Sequence, residues 1–410
     1  MPDLNVELPE NREPWLIDWN VRFAEFSTAC RQDDAKRVVM VYDAPNTSSF
    51  RYRVYNVKQA MAGDDRFHIS YFYRDELPRL KEYLHRIDLA ILCRCQWTLE
   101  IQETCSILKS LRVPIAFDMD DLFCDLERLQ LITNTLNVAL DSEAAYSWWF
   151  AAISRTYMVG RMADCFIATN AYLGEMLSRQ FGGRPFHVIN NSLNREQLQI
   201  SAAVCEKKKS AAPNRNFTIG YFSGTPSHIN DFKVAAPEIA GLLREFPEMR
   251  LRVVGFMDFP DYMNELLQQN RIEFRPLVDF MELQRLVGEV DLNIAPLVDN
   301  VFTNCKSELK FFEAAVVDTP TCATPTYTFA GAIKHGETGF LCRPGQWRPV
   351  IADIYQGKYD IARINAAAKK YCLERYSGAR FREQIAETFS AILEDARSVK
   401  KLGLTNEANA

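Results

Sequence analysis

Short apolar runs rich in β-branched and aromatic residues recur along the first half of the chain. They are "RVVMVY" (37–42), "FHISYF" (67–72), "DLAILCR" (88–94), "PIAFDMD" (114–120), "DCFIAT" (164–169) and "PFHVIN" (185–190). Between most of them lie longer stretches with helical spacing, such as "LEIQETCSILKSL" (99–111). Apolar strands alternating with helices predict a parallel sheet covered on both faces. The second half repeats the pattern with "FTIGYFS" (217–223), "RLRVVGF" (250–256), "IEFRPLV" (272–278), "LNIAPL" (292–297) and "PTCAT" (320–324). The expected fold class is therefore α/β, with two Rossmann-like doubly wound domains facing a central cleft. Between the halves, "CEKKKSAAPNRN" (205–216) is charged, then small, then broken by proline. That reads as an exposed linker with a solvated lysine run. The expected boundaries are 1–195 for the first domain, 196–212 for the linker and 213–370 for the second. A C-terminal helix at about 372–400 is expected to pack back on the first domain.

Composition narrows the class. A chain of 410 residues is long enough to bury two cores. A net charge of -5 gives no overall field for nucleic acid, so none is expected as a partner. The eleven cysteines are scattered, and only Cys93 and Cys95 are close. Without a second pair at zinc-site spacing they read as free thiols of a reducing compartment, and no metal is expected. The opening "MPDLNVELPENREPW" is acidic and polar, unlike a signal peptide. No apolar run approaches the roughly 20 residues that span a bilayer. A cytoplasmic protein is expected.

Ligands of open α/β sheets bind beyond the carboxyl ends of the strands, so polar residues there are the candidates. After 37–42 comes "DAPNTSSFRYRVYN", where Arg51 and Arg53 can fork onto an anionic or hydroxylated ligand or pair on the surface with Asp43 or Asp64. No GxGxxG is present at this turn. After 114–117, Asp118, Asp120 and Asp121 cluster in "FDMDDLFCD". Three such carboxylates repel unless they bind something: sugar hydroxyls, a proton in transit or a metal, while capping accounts for one. After 217–223, Ser223, Gly224 and Thr225 form a small turn that a ligand can approach closely. His228 stands ready as a donor, and the following helix start suits phosphate.

The fourth candidate is "KSELKFFEAAVVDTP" (306–320). On a helix Lys306, Lys310 and Glu313 share one face, while Leu309, Phe312 and Val316 form the buried stripe. Lysines at a helix start oppose the dipole unless an anion sits between them and the amides. A diphosphate fits there, with Glu313 one turn deeper for a ribose diol; a plain Lys–Glu surface ladder is the alternative. Further upstream, "AAYSWWFAAISRTYMVGRM" (144–162) reads either as a core helix or as one whose Trp148 and Trp149 dip into a membrane interface.

Together, "NCKSELKFFEAAVVDTPTCAT", "IGYFSGTPSHINDF" and "KHGETGFLC" (334–342) resemble the nucleotide-binding half of retaining glycosyltransferases of the GT-B fold. The resemblance is to the family 4 type and to its bacterial surface-polysaccharide branch. It covers about 185 to 345, and extends over the first half through "RYRV" and "DMDDLF". It implies a nucleotide-diphosphate sugar as donor substrate, no further cofactor, and a glycan or lipid-linked glycan as acceptor. Work at the inner face of the cytoplasmic membrane follows from a lipid-linked acceptor. By the same resemblance Glu313 binds the ribose. Backbone amides of Ser307, Glu308 and Leu309 approach the phosphates and sugar, Lys306 and Lys310 neutralise the phosphates, and Gly224 and Thr225 belong to the opposite phosphate loop.

Catalytic roles are expected for Asp118, Asp120, Asp121, Lys310 and Glu313, and Arg51, Arg53 and Asp118 are expected at the acceptor. The family's first glutamate falls at Cys305 in this chain. An inactive nucleotide-sugar-binding scaffold is thus one alternative. A sugar-nucleotide epimerase of the same fold, with the aspartates as acid and base, is another. A two-lobed solute-binding protein is disfavoured by the missing export signal and the many cysteines.

Overall fold

The computed structural model describes residues 4–31, 35–46, 48–210, 216–224 and 229–407, with side chains to 398. Two compact units emerge. One comprises Glu13–Leu129, Asp141–Ser192 and Ser377–Ala410; the other comprises Leu193–Tyr376 with Met1–Arg12 and Gln130–Leu140.

The first unit is built on a six-stranded parallel sheet. Its strands are β1 (Lys36–Tyr42), β2 (Phe67–Tyr73), β3 (Leu89–Cys93), β4 (Ile115–Met119), β5 (Cys165–Ala168) and β6 (Phe186–Val188). Their order is β2-β1-β3-β4-β5-β6. β3 and β4 are buried along their whole length, the signature of a sheet covered on both faces. The helix Gly378–Glu407 belongs to this unit. It is fastened there by a two-point Arg66–Glu383 pair and by Phe389 edge-on to Phe67.

The second unit carries β7 (Phe217–Ser223), β8 (Met249–Gly255), β9 (Ile272–Arg275), β10 (Leu292–Ala295), β11 (Thr321–Ala323) and β12 (Phe340–Leu341), in the order β12-β11-β10-β7-β8-β9. All its pairings are parallel. The eleven strands expected from the sequence all form. β12 was missed because two residues are too short to show alternation. In this order the strand sequence reverses direction between β7 and β10, the kind of switch point at whose carboxyl ends open α/β sheets bind ligands.

One organisational expectation fails. The expected linker 196–212 is not exposed over its described part, because Arg195–Ser210 forms a helix of the second unit; 211 and 212 lie outside the described residues. Its Ile200, Val204 and Cys205 are buried. The lysine run that suggested a hinge surface includes Lys208, whose ammonium donates to the carbonyls of Val317 and Asp318 and to Thr319 Oγ1. It ties off the end of the helix Leu309–Ala315, where a cation is favoured. Asp318 adopts the left-handed conformation at φ 52°, which aspartate tolerates better than most residues. Its carboxylate pairs with Lys369.

None of the eleven cysteines forms a disulfide, and all but Cys30 are buried. Among the described residues no helix is long and apolar enough to cross a membrane.

Candidate functional site

The fourth candidate stretch lies beside the β7–β10 switch point, where Lys310 meets Asn293 of β10 and Tyr221 of β7. The helix there runs Leu309–Ala315, so Lys306 and Ser307 lie in the turn before it and not on its face, as the periodicity had suggested. Glu308 takes the capping position, with no hydrogen bond from its side chain to the helix start. The helix is enclosed almost all round: Phe311, Phe312, Glu313, Ala314 and Ala315 are buried, and Leu309 is half-buried. A surface Lys–Glu ladder is thereby excluded. Glu313 accepts from Gln197 Nε2 at 3.0 Å, a bond within the interior. Glu308 accepts a 2.5 Å bond from the Tyr376 hydroxyl, also inside. Burial pushes the Glu308 carboxyl above its ordinary range, against the bond from Tyr376.

Lys310 is the exception among these tied groups. Its ammonium is enclosed, and among the described residues no hydrogen-bond partner stands beside it. It lies over the Tyr221 ring, 4.9 Å from the centroid. Burial pulls its titration down to about 8. The Asp231 carboxylate opposes that, the Lys306 charge adds to it, and Glu313 opposes it further. Two lysines close enough to repel, one stripped of water, form a local positive well at the switch point. Asn293 of β10 holds the backbone of Lys310 by donating to its carbonyl at 3.0 Å.

Opposite, β7 ends at Ser223, which is buried, and Gly224, which is exposed. Thr225 and His228 lie outside the described residues. Gly255 at the end of β8 has φ 109°, and a Cβ there would fall 1.6 Å from the Ser223 carbonyl oxygen. Only glycine lets the two strand ends approach this closely. Asp231 is fully buried and accepts from the Val298 amide at 3.0 Å, fixing the loop after β10. Cys305 is fully buried as well.

The first unit's candidates behave differently. Arg53 and Asp118 meet in a two-point ion pair, Nε to Oδ1 at 2.8 Å and Nη2 to Oδ2 at 2.6 Å. Both are essentially without solvent exposure, at 0% and 2%. The expectation that they bind an acceptor is corrected on this point: each spends its charge on the other. Burial raises the Asp118 carboxyl, with the Arg53 charge and hydrogen bonds working against it. Arg51 is also buried, its guanidinium stacked 4.0 Å from the Tyr52 ring within a π-helical turn, Arg51–Tyr55. Asp43 and Asp64, the surface partners considered for these arginines, pair with Arg74 and Arg66 instead.

Asp120 and Asp121 converge on Arg94, at 2.5 and 3.0 Å. Burial would raise Asp120, but the Arg94 charge and hydrogen bonds from Ser49 and Arg94 outweigh it and hold the carboxyl below its usual range. The mutual repulsion of the three aspartates is thus relieved by two arginines from other elements. Arg94, directly after β3, was not selected from the sequence, although its strand-end position was a usable signal. Tyr376, Gln197 and Asn293 carried no such signal. Arg94 keeps partial exposure, as do Asp120 and Asp121, so this trio can offer hydrogen bonds to a hydroxylated ligand.

The helix Glu143–Met162 divides the two readings given for it. From Ala152 to Gly160 it buries one face, as a core helix does. Toward its start Tyr146, Trp148 and Phe150 are exposed, Trp148 at 63%. Trp149 packs edge-on against Phe123 at 5.8 Å.

Comparison with known proteins adds an independent line. Residues 216–356, within the second unit, match the family model "Glycosyl transferases group 1". No curated protein matches the chain in sequence. Among solved structures, Anabaena HepE in complex with UDP and glucose is 16% identical, with a TM-score of 0.57 over 87% of this chain and all of that one. Sucrose-phosphate synthase from Thermosynechococcus elongatus is 14% identical at 0.56, over 88% of this chain and all of that one. A glycosyltransferase from Rickettsia africae is 14% identical at 0.57, over 88% and 99%. Two Rossmann-like α/β units with parallel sheets, the GT-B architecture, are common to these and to this chain.

Proposed function

We propose that this chain moves a sugar from a nucleotide-diphosphate donor to a hydroxyl of a glycan or lipid-linked glycan. The observation that carries the reading is the Lys310 ammonium, enclosed at the β7–β10 switch point with no hydrogen-bond acceptor among the described residues. A buried cation without an acceptor is costly, and a diphosphate supplies the missing oxygens. Breaking the sugar–phosphate bond develops negative charge on the departing diphosphate and positive charge on the sugar. Lys306 and Lys310 stabilise the former. Glu313, held by Gln197, receives the ribose, and Ser223 and Gly224 line the phosphates.

The Arg94–Asp120–Asp121 trio is the acceptor-side candidate. Transfer proceeds with retention, the leaving phosphate taking the acceptor proton, as in the enzymes the sequence resembles. The same likeness and the complexes of HepE with UDP and glucose support a UDP-sugar as the first donor to try. Synthesis of bacterial surface polysaccharide at the cytoplasmic face of a membrane is the accompanying role. The exposed Trp148 is the contact residue. Epimerisation is disfavoured because Asp118 is locked to Arg53 and cannot exchange a proton with a sugar.

The test is hydrolysis and transfer across a panel of nucleotide sugars, with product stereochemistry read by NMR. Turnover of one donor with retention supports the reading. Binding without any turnover across the panel, with acceptor glycans present, would instead establish a scaffold.

A further inference from the structure

The two glutamates of the donor segment are both held by residues at points where the chain passes from one unit to the other. The chain passes at Ser192–Leu193 and again at Tyr376–Ser377. These two points are joined within the second unit: the Leu193 amide donates to the Tyr376 carbonyl at 2.9 Å. The hydroxyl of the same Tyr376 reaches Glu308 Oε1, and its ring packs on Phe312, 4.7 Å between centroids. A few residues beyond Leu193, Asn194 caps the helix by accepting from the Gln197 amide at 2.7 Å. The Gln197 side chain then reaches Glu313. Both ends of the helix Leu309–Ala315 are thus wired to the passage points by buried hydrogen bonds.

On its other side the passage is pinned inside the first unit. Arg53 Nη1 donates to the Ile189 carbonyl at 2.7 Å and to Asn191 Oδ1 at 3.1 Å. Asn56 Nδ2 donates to the Ser192 carbonyl at 2.6 Å. After Ser377, Gly378 stands at φ 68°, a conformation glycine adopts without strain. Rigid anchors on either side leave the bonds at 192–193 and 376–378 to absorb any change of backbone angle.

We infer that Tyr376 is a positioning residue that links occupancy of the donor segment to the passage points between the units. This rests on the donor-site reading above. Oxygens bound at Lys306 and Lys310 draw on the 305–309 turn, whose capping residue Glu308 is bonded to the Tyr376 hydroxyl. A shift of that turn reaches the 376–378 joint directly, and reaches Leu193 through the carbonyl of Tyr376.

Hydrogen exchange of the full chain with and without UDP tests the link. In the wild type UDP slows exchange at 305–309 and also at 192–194 and 376–378. In Tyr376→Phe, which keeps the ring packing, UDP still slows 305–309, but its effect at the passage points is lost. Glu308→Gln, which keeps an acceptor oxygen, behaves as the wild type, and Glu308→Ala behaves as Tyr376→Phe. This second pair decides the matter if Tyr376→Phe does not fold. A merely structural tyrosine would raise exchange at the passage points in the free protein yet leave the UDP-dependent difference intact, and that result overturns the inference. Protection confined to 305–309 in the wild type also overturns it while sparing the donor site. No protection at 305–309 with UDP, GDP or ADP removes the donor-site reading and this one together.

Discussion

Arg53 and Asp118, one in a π-helical turn and the other at the end of β4, satisfy each other through two hydrogen bonds in a region closed to water. Removing one partner of such a pair leaves a buried charge and costs about 3–5 kcal/mol, whereas replacing both by apolar groups costs far less. Asp118→Asn is therefore expected to lower stability in urea unfolding by that amount. The double variant Arg53→Met with Asp118→Leu is expected to recover most of it. Unchanged stability with lost acceptor binding would return Asp118 to the acceptor site.

Lys310 makes the opposite prediction. Its charge is paid for by no hydrogen bond among the described residues, so Lys310→Met is expected to leave the melting temperature unchanged or higher. Loss of a charge-assisted bond to phosphate, about 1.5–3 kcal/mol, weakens nucleotide binding roughly 10- to 100-fold. Calorimetry with UDP reads the second effect, and thermal melting the first.

The pH dependence has two signs. Lys310 titrates near 8 in the free protein, and a bound diphosphate favours its charged form. Nucleotide affinity is full below about 8 and falls by up to about tenfold per pH unit above it, with proton uptake on binding. Stability of the ligand-free protein moves the other way. Between about 8 and the ordinary lysine value of 10.5 the unfolded chain holds the proton that the folded chain has lost, so stability rises with pH. Affinity titrations of wild type and Lys310→Met check this; a slope that persists in the variant assigns it to another group.

Gly255→Ala is expected to be among the most damaging single-methyl changes in the chain. The added carbon falls on the backbone oxygen of Ser223, which no rotamer change can relieve. A loss above about 4 kcal/mol, or insoluble protein, is the expected outcome. A soluble variant of normal stability would show that the ends of β7 and β8 are further apart.

At the helix Glu143–Met162, Trp148→Ala is expected to leave stability within about 0.5 kcal/mol, because the ring is exposed. Trp149→Ala, which gives up its packing on Phe123, should destabilise measurably. In flotation with vesicles of anionic and zwitterionic lipid, wild type is expected to rise with the vesicles, and a double variant to remain below. Equal behaviour of the two would remove the membrane contact.

The glutamate expected at the ribose illustrates how far local pattern reached. Periodicity put Glu313 on a helix at the right strand end, yet gave no hint of Gln197, more than a hundred residues away, on a helix that read as a linker. Charge spacing could show that Asp118, Asp120 and Asp121 needed partners. It could not name Arg53 and Arg94, because pairing depends on which strands lie side by side.

The sequence by itself determined the two parallel α/β sheets. Eleven of their twelve strands announce themselves as apolar runs, since a strand covered on both faces must be apolar throughout. It also singled out 306–313 as a candidate, through the lysines and the glutamate placed after a strand. Only the tertiary structure decided which charges were spent and which were kept. Arg53 and Asp118 neutralise each other, Glu308 and Glu313 are tied to Tyr376 and Gln197, and the Lys310 ammonium alone among these groups is left without an acceptor among the described residues. Desolvation and pairing depend on neighbours brought together in space, and spacing along the chain carries no record of them.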